Sequence, residues 1–431
     1  MKPAETSLVS IIVPTHNRSA SVRSVLDALC RQTYPLQLIE VIVVADGCTD
    51  DTARVLEEYA APFKLRVIVQ SQKGAAAARN NGAAIAAGET LIFVDDDVLA
   101  APEFVTAHLS AHFNDNYTVA IGYLPVRLNS PADLLAITVR AWWEDRFLAM
   151  RRPYHRFEFT DLFSGNFSMK SACFRDIGGF DPSLPRREDY ELGARLLKAG
   201  AYFRFVPQAV GYHCETPTVE GALRRMFQEG TGDVLTGLKH PELRPRLPLG
   251  HFRETSRRDA AIRAFAFDFS KAGDILVSCL ARGLPSFERL GLRVTWRRVY
   301  MLLQRYWYLR GIADVLGSRA AFMRYLQDGP PHENPHEFEI EIDLKRGLTH
   351  GENLLDQQRP AGARLRYGRS FVGHLAAKAG AEPLRGTHLR SALVGQFGDR
   401  LLRALLLDSG FTTALNHESA NMRVQRKSSK R

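Results

Sequence analysis

Cysteine is scarce in this chain and follows no pattern. Cys30, Cys48, Cys173, Cys214 and Cys279 lie far apart, are odd in number and include no CxxC pair, which argues against a disulfide framework and a thiolate zinc site. Long apolar runs are missing too. None approaches the ~20 residues that cross a bilayer, and Met1 to Ser10 have neither the basic start nor the apolar stretch of a secretory leader. A cytoplasmic protein in a reducing compartment is expected. Acidic charge is short in one part only: residues 1–240 carry 25 Lys and Arg against 28 Asp and Glu, whereas residues 241–431 carry 32 against 19. The net charge of +10 therefore belongs to the C-terminal part. Such asymmetry suits an anionic partner, a membrane surface or a lipid-linked phosphate, and equally a solvated Arg-rich helical surface. The arginines are spread over helices with no nucleic-acid-binding module, so no nucleic-acid partner is expected.

What is present centres on Thr90-Leu91-Ile92-Phe93-Val94-Asp95-Asp96-Asp97. The apolar run reads as a strand buried on both faces, and it ends in three carboxylates. Two like charges about 4 Å apart repel by roughly 4 kcal/mol at an effective dielectric near 20, so the cluster needs a cation, a proton or full solvation. Oxygen-only ligands suit Mg²⁺ or Mn²⁺, with phosphate oxygens and water completing the shell. The plainer alternative is a solvated acidic turn that caps a helix beginning near Pro102.

Around this strand the pattern is regular. Leu8 to Pro14, Ile39 to Val44 and Leu65 to Gln70 read as further strands, alternating with helices near Ser19–Arg31, up to Tyr59, and Ala75–Ala87. Asn17 or Ser19 can cap the first helix. Alternation of this length predicts βα units and a mainly parallel sheet flanked by helices. In such a sheet ligands sit beyond the carboxyl ends of the strands, where Pro14 to Arg18, Asp46, Lys73-Gly74 and Asp95 to Asp97 fall. Asp46 can accept from a base or a ribose hydroxyl, and Lys73 and Arg79 can face phosphate. Singly, each has a structural reading as turn, cap or surface residue.

A second constellation follows: Leu162 to Met169 as loop and strand, the turn Gly178-Gly179-Phe180-Asp181, and Arg186-Arg187-Glu188-Asp189-Tyr190-Glu191-Leu192 as a helix start. Glu188 and Asp189 either stabilise the helix dipole, worth a few tenths to about 1 kcal/mol, or supply a general base above the pocket. His213 closes a strand-like Phe203–Tyr212 and can join the metal or the diphosphate, or be structural.

Taken in order, Pro14-Thr15-His16-Asn17, Val43 to Asp50, Ala78-Arg79-Asn80, Phe93 to Asp97, Gly178 to Asp181 and Glu188 to Leu192 resemble the family 2 glycosyltransferases of GT-A fold, over roughly residues 8–235. The resemblance implies a Rossmann-like α/β domain that moves a sugar from a UDP-, GDP- or dTDP-sugar to an acceptor hydroxyl with inversion, in cell-surface polysaccharide, glycolipid or glycoconjugate synthesis. The acceptor would be a glycan, a lipid-linked sugar or a small molecule. The resemblance also implies that Asp97 and Asp95 hold Mn²⁺ or Mg²⁺, with His213 as a further ligand, and that Asp189 is the base. Pro14, Thr15, Asn17, Asp46, Lys73, Arg79, Asp95 and Asp96 would contact the nucleotide, and Gly165, Asn166 and Glu188 the acceptor. Two departures stand out. Ala45-Asp46 replaces the family's two adjacent aspartates, and the QxxRW motif of processive synthases is absent, its nearest counterpart being Leu223 to Gly230; a single addition is therefore expected.

Four segments are expected: a catalytic domain 1–240, a basic helical extension 241–329 opening on the Pro/Arg-rich Pro241 to Pro248, a small α/β region 330–422, and a basic tail 423–431. Within the extension, Trp296, Tyr300 and Trp307 among arginines can lie on an anionic membrane as a peripheral anchor or pack on the catalytic domain. Pro330-Pro331 and Pro335 read as a hinge, and Phe338 to Leu344 as a strand with one wet face. The rival functional classes are a nucleotidyltransferase, disfavoured by the lack of a Gly-rich basic loop after the first strand, and an inactive GT-A-like scaffold that binds through its basic C-terminal half.

Overall fold

The computed structural model describes residues 7–112, 117–128, 133–252, 256–328 and 338–408. It divides into two compact units, residues 1–151 with 157–332, and residues 152–156 with 333–431. The pocket and all its lining belong to the first unit.

The first unit opens with the expected alternation. Strands β1 (Val9–Thr15), β2 (Ile39–Asp46), β3 (Lys64–Gln70) and β4 (Thr90–Val94) are separated by helices α1 (Ser19–Leu29), α2 (Thr52–Glu57) and α3 (Ala75–Ile85). They pair in the order β3-β2-β1-β4, all parallel. Every residue of β2 and β4 is buried, which is why both read as unbroken apolar runs. Neither Asn17 nor Ser19 caps α1. Its N-cap is Arg18, without a side-chain bond, because the Asn17 carboxamide is turned to another loop.

Beyond β4 the chain adds β5 (Val98–Ala100), α4 (Phe104–Ser110), β6 (Thr118–Tyr123), β7 (Val126–Leu128), α5 (Leu134–Met150), β8 (Asn166–Lys170), α6 (Ser171–Asp176), α7 (Glu188–Lys198) and β9 (Tyr202–Glu215). Here antiparallel pairings join the parallel ones. Strand β8 leaves the loop beside the carboxylates and runs back along β4, pairing Val94 with Asn166 and Thr90 with Lys170. The sheet is mainly parallel, as expected, with antiparallel pairings of β8 to β4 and β6 and of β5 to β9, and continues β8-β6-β9. Phe93 stacks on Phe167 across this antiparallel pair at 4.7 Å and meets Phe174 and Phe180, anchoring β4 where its acidic end begins. The long β9 then places His213 opposite Val98 and Val126, over the acidic loop.

Helix α8 (Val219–Lys239) leads into two 3₁₀ turns, Pro241–Arg246 and Pro248–Phe252, then α9 (Arg257–Phe267), α10 (Ser270–Arg289), α11 (Arg293–Leu316) and α12 (Arg319–Gln327). The Pro/Arg-rich stretch that composition marks as a linker buries Leu243, Leu247 and Leu249, so the compact units do not part at residue 240. Helices α8 and α11 press together at Gly230 and Gly311, where a Cβ would collide with the carbonyls of Tyr308 and Phe227 respectively. Trp296, Tyr300, Tyr306 and Tyr308 of α11 are buried within the unit.

The second unit holds a three-stranded sheet of β10 (Glu339–Asp343), β11 (Gly362–Tyr367) and β12 (Ser370–Leu375), with α13 (Leu348–Gln358), α14 (Gly386–Ala392) and α15 (Gly398–Leu407). Its own core gathers Ile342, Leu355, Leu365, Val372 and Leu389. Arg156 belongs to this unit and donates to the carbonyls of Ala361, Ala376 and Glu382. The Pro330–Pro335 stretch and the 423–431 tail lie outside the described residues.

Candidate active site

A cavity of about 620 Å³ opens at the carboxyl ends of β1, β2 and β4. Three successive aspartates line it, and the chain treats each differently. Asp95 Oδ1 accepts from Arg79 at 2.6 Å, and the same buried guanidinium reaches Glu188 Oε1 at 3.0 Å. Arg79 is therefore the bridge between the acidic loop and the start of α7. Gly165, expected at the acceptor, lies against Asp95, where a Cβ would stand 2.7 Å from Oδ2. Asp96 accepts from Thr15 Oγ1 at 2.7 Å and from Arg18 at 2.9 Å. Burial still pushes its carboxyl up to about 6 against the pull of Arg18 and Thr15.

Asp97 is the aspartate with an unused face. Its Oδ2 accepts from Arg18 at 2.7 Å, but its buried Oδ1 has no hydrogen bond, with His213 Nε2 3.5 Å away. Burial would raise its pKa, yet His213 and Arg18 outweigh that and hold it down to about 2. The His213 imidazole responds in kind: burial alone would lower its pKa, and Asp97 with Glu215 raises it above the usual value. A chain of charge runs on from there, His213 to Glu215 at 3.6 Å and Glu215 to Arg225 of α8 at 3.2 Å. Trp143 packs edge-on against the His213 ring, and Trp142 and Phe163 extend the same aromatic wall along the cavity.

Across the cavity, Asp189 stands in the first turn of α7 beside Glu188. Its Oδ1 accepts only from the adjacent Tyr190 N–H among the described bonds, at 2.9 Å. Burial, reinforced by the Glu188 charge, pushes its pKa up to about 7, against Arg187 and Arg186. Arg187 itself turns away from the cavity acid. Held at φ 70°, it donates to Asp233 Oδ1 at 2.9 Å and Glu229 Oε2 at 3.0 Å, both on α8, and Asp233 accepts from the Tyr308 hydroxyl of α11 at 2.6 Å.

Several residues expected to touch ligand are held by the fold instead. Asn166 is fully buried: its amide donates to the carbonyls of Tyr123 and Ala209 and its oxygen meets His108 Nε2 at 2.8 Å, leaving nothing for an acceptor. Asn17, at φ 53°, accepts from the Thr49 and Asp50 amides and pins the loop after β2. Asp46 borders the cavity, but its carboxylate accepts from the Lys73 and Gly74 amides and from Gln70 Nε2, so it builds the turn after β3. The exposed Lys73 side chain is not part of the cavity wall. Pro14, Thr15, Arg79, Glu188 and His213 do line it. Sequence reasoning placed Arg18 at a strand end without giving it a role, and it missed Trp142, Trp143 and Arg225, which sit on helices with no local signal of a pocket.

Among the described residues no cluster of three or more His, Cys, Asp or Glu side chains has metal-holding geometry. A Mg²⁺ or Mn²⁺ ion that rides on a diphosphate needs only one or two protein carboxylates. The unbonded Asp97 Oδ1 beside His213 fits that smaller requirement.

The site lies at the carboxyl ends of a mixed α/β sheet, with carboxylates at the end of β4 and a second acidic pair facing them, the arrangement expected of a GT-A fold. Residues 10–178 match the family model described as glycosyl transferase family 2. Validoxylamine A glucosyltransferase of Streptomyces hygroscopicus subsp. jinggangensis is 30% identical over 279 residues, 57% of this chain and 64% of that protein. The probable glycosyltransferase YdaM of Bacillus subtilis is 25% identical over 277 residues, 62% and 63% of the two chains. This chain therefore spans less than two thirds of the length of these relatives. A mannosyltransferase of Pyrobaculum calidifontis, solved with GDP-mannose and Mn²⁺, superposes over 73% of this chain and 89% of its own at 18% identity and a TM-score of 0.47, too distant to transfer its ligands.

Proposed function

We propose that the protein is a metal-dependent, inverting glycosyltransferase that moves one sugar from a nucleotide-diphosphate sugar to an acceptor hydroxyl. The observation that carries this reading is the state of Asp189: a carboxylate in the same cavity as Asp95 to Asp97, with no cation bonded to it and a pKa near 7. A base of that strength is half ionised at neutral pH and binds a proton well enough to take one from a hydroxyl. Acidic clusters that merely cap helices gain nothing from such a shift.

In this reading the acceptor oxygen attacks the anomeric carbon while Asp189 takes its proton, and the nucleoside diphosphate leaves on the opposite side. Arg79 holds Glu188 in an ion pair, so the like charge next to Asp189 stays fixed and keeps the base proton-avid. Asp97 and His213 would hold the divalent ion, with Asp95 alongside, and the ion would supply neutralisation of the charge that develops on the diphosphate. Arg18 and Arg225 at the cavity rim add positive charge on that side. Thr15 and Pro14 border the nucleotide end. The names of similar proteins support the same class of chemistry, one being a validoxylamine A glucosyltransferase and another a probable glycosyltransferase.

The test is Asp189→Asn, which keeps the shape and removes the base. Sugar transfer should fall by about 10²–10⁴-fold with nucleotide affinity unchanged. Transfer at the wild-type rate would remove Asp189 from the mechanism, whereas no transfer by wild type itself would favour the inactive-scaffold reading.

A further inference from the structure

The C-terminal helices leave one surface unaccounted for by sugar transfer. Helices α10 and α11 form a hairpin whose tip, Arg289 to Thr295, is exposed at every residue. Leu290, Leu292 and Val294 are 72%, 45% and 65% accessible, an unusual state for three large aliphatic side chains within five residues. Arg289 and Arg293 alternate with them, and Arg297 and Arg298 follow on the next turn of α11, also exposed. None of these four arginines makes an ion pair among the described residues. The apolar stripe continues down the outer sides of the hairpin through Ile275, Leu276 and Met301.

The single acid between Ile275 and Ala313 is Glu288, and it is turned inward. Its Oε1 accepts from the Leu134 N–H at the start of α5, at 2.8 Å. Residues 289–295 thus show aliphatic and cationic groups and no carboxylate, and the nearby exposed Asp133 is engaged in capping α5 through the Ala136 N–H. Of the aromatic residues the sequence offers as an anchor on α11, Trp296 and Tyr300 are buried and Trp307 is half-buried. The Glu288 bond fixes where the tip lies relative to the chemistry. Eight residues along α5 from Leu134, about 12 Å at helical rise, stands Trp142 in the cavity wall.

We propose that the α10–α11 tip docks on an anionic lipid surface, Leu290, Leu292 and Val294 entering the headgroup boundary while Arg289, Arg293, Arg297 and Arg298 meet lipid phosphates. Each half of the pattern answers one half of such a surface: aliphatic side chains leave water, and unpaired guanidinium groups neutralise phosphate. A neutral protein partner would leave four arginines uncompensated. Docking by this tip holds the cavity wall within a short helix length of the bilayer, so the acceptor is a lipid-linked hydroxyl; this last step rests on the transferase reading, whereas the docking does not.

The test is cosedimentation of the full chain with vesicles of phosphatidylcholine alone or with about one part in three phosphatidylglycerol. Binding is expected to the anionic vesicles and to fall about tenfold or more in Arg289→Glu/Arg293→Glu and in Leu290→Ser/Leu292→Ser. The exposed pair Arg23→Glu on α1 and Arg31→Glu just beyond its end, with the same change in net charge, should keep wild-type binding. Nucleotide-induced thermal stabilisation, read on every variant, should be unchanged, which separates loss of docking from loss of fold or of the transferase reading. The proposal is overturned if wild type ignores anionic vesicles, if the α1 control loses binding equally, or if the tip variants bind as wild type. It is also overturned if they alter only the oligomeric state, which would make the tip a contact between copies.

Discussion

The Arg187 guanidinium donates to Asp233 at 2.9 Å and so ties the residue that precedes α7 to the middle of α8. Asp233 is fully buried and in turn accepts from Tyr308 of α11. The candidate base two residues after Arg187 is therefore positioned by helices that follow the family-matched region. The geometry of the site and the packing of the C-terminal helices are one problem rather than two.

Removing one member of this buried network should cost far more than trimming it. Arg187→Ala leaves two carboxylates buried without their cation, and a broken buried pair costs about 3–5 kcal/mol. Tyr308→Phe removes one hydrogen bond to a charged group, about 1.5–3 kcal/mol. Urea unfolding of the two variants should rank them in that order, with transfer activity falling in both because α7 loses its anchor. Equal stability of Arg187→Ala and wild type would show that the network holds nothing.

The elevated Asp189 pKa has consequences for activity and stability together. Transfer should fall about tenfold per pH unit below 7, as the base becomes protonated, and level off above it. The sign for stability is the opposite. The folded pKa lies above the unfolded value of 3.8, so the ionised, buried carboxylate weakens the fold fully above pH 7, and this penalty disappears as pH falls from 7 toward 4. Asp189→Asn should thus melt higher than wild type at pH 8, and the difference should vanish near pH 4. A variant that melts lower than wild type at pH 8 would contradict the assigned shift.

Acid should also expose the buried pair His108 and His112. Burial depresses them to about 4 and about 3, the two rings sharing Ser168 as a partner. Below the unfolded histidine pKa near 6.5 the unfolded chain takes up protons that the folded chain refuses, so stability falls by about 1.4 kcal/mol per pH unit for each ring until its folded pKa is reached. Denaturant titrations between pH 6.5 and 4 should show stability falling by about 1.4 kcal/mol per pH unit less in a His112→Gln variant that folds than in wild type. An unchanged slope would mean His112 is protonated in the fold.

Much of the fold was legible because its central strands carry their own signal. Ile39 to Asp46 and Thr90 to Val94 are buried on both faces, so composition alone marks them, and their polar ends mark where a parallel sheet collects ligands. The return strand Asn166–Lys170 carries no mark of its direction, which depends on the loop that delivers it. Asn17 and Asn166 misled for a related reason: a polar side chain near the site reads the same whether it meets a ligand or backbone groups brought from Thr49, Tyr123 or Ala209. The stretch Pro241 to Pro248 misled by composition, since its prolines shape 3₁₀ turns whose leucines are buried. The ion pair of Arg18 and the place of Trp143 were invisible because their partners, Asp97 and His213, are distant in sequence.

The most direct test of the central claim is thermal stabilisation of the full chain by UDP, GDP and dTDP and their sugars, each with and without Mn²⁺ or Mg²⁺, in wild type and in Asp95→Ala/Asp97→Ala. A ligand that binds only the folded state stabilises it by about 2.7 kcal/mol at a hundredfold excess over its dissociation constant. The account predicts a metal-dependent rise in melting temperature with one nucleotide class in wild type, and its loss in the double variant. No rise with any nucleotide, or the same metal-dependent rise in both proteins, would contradict it.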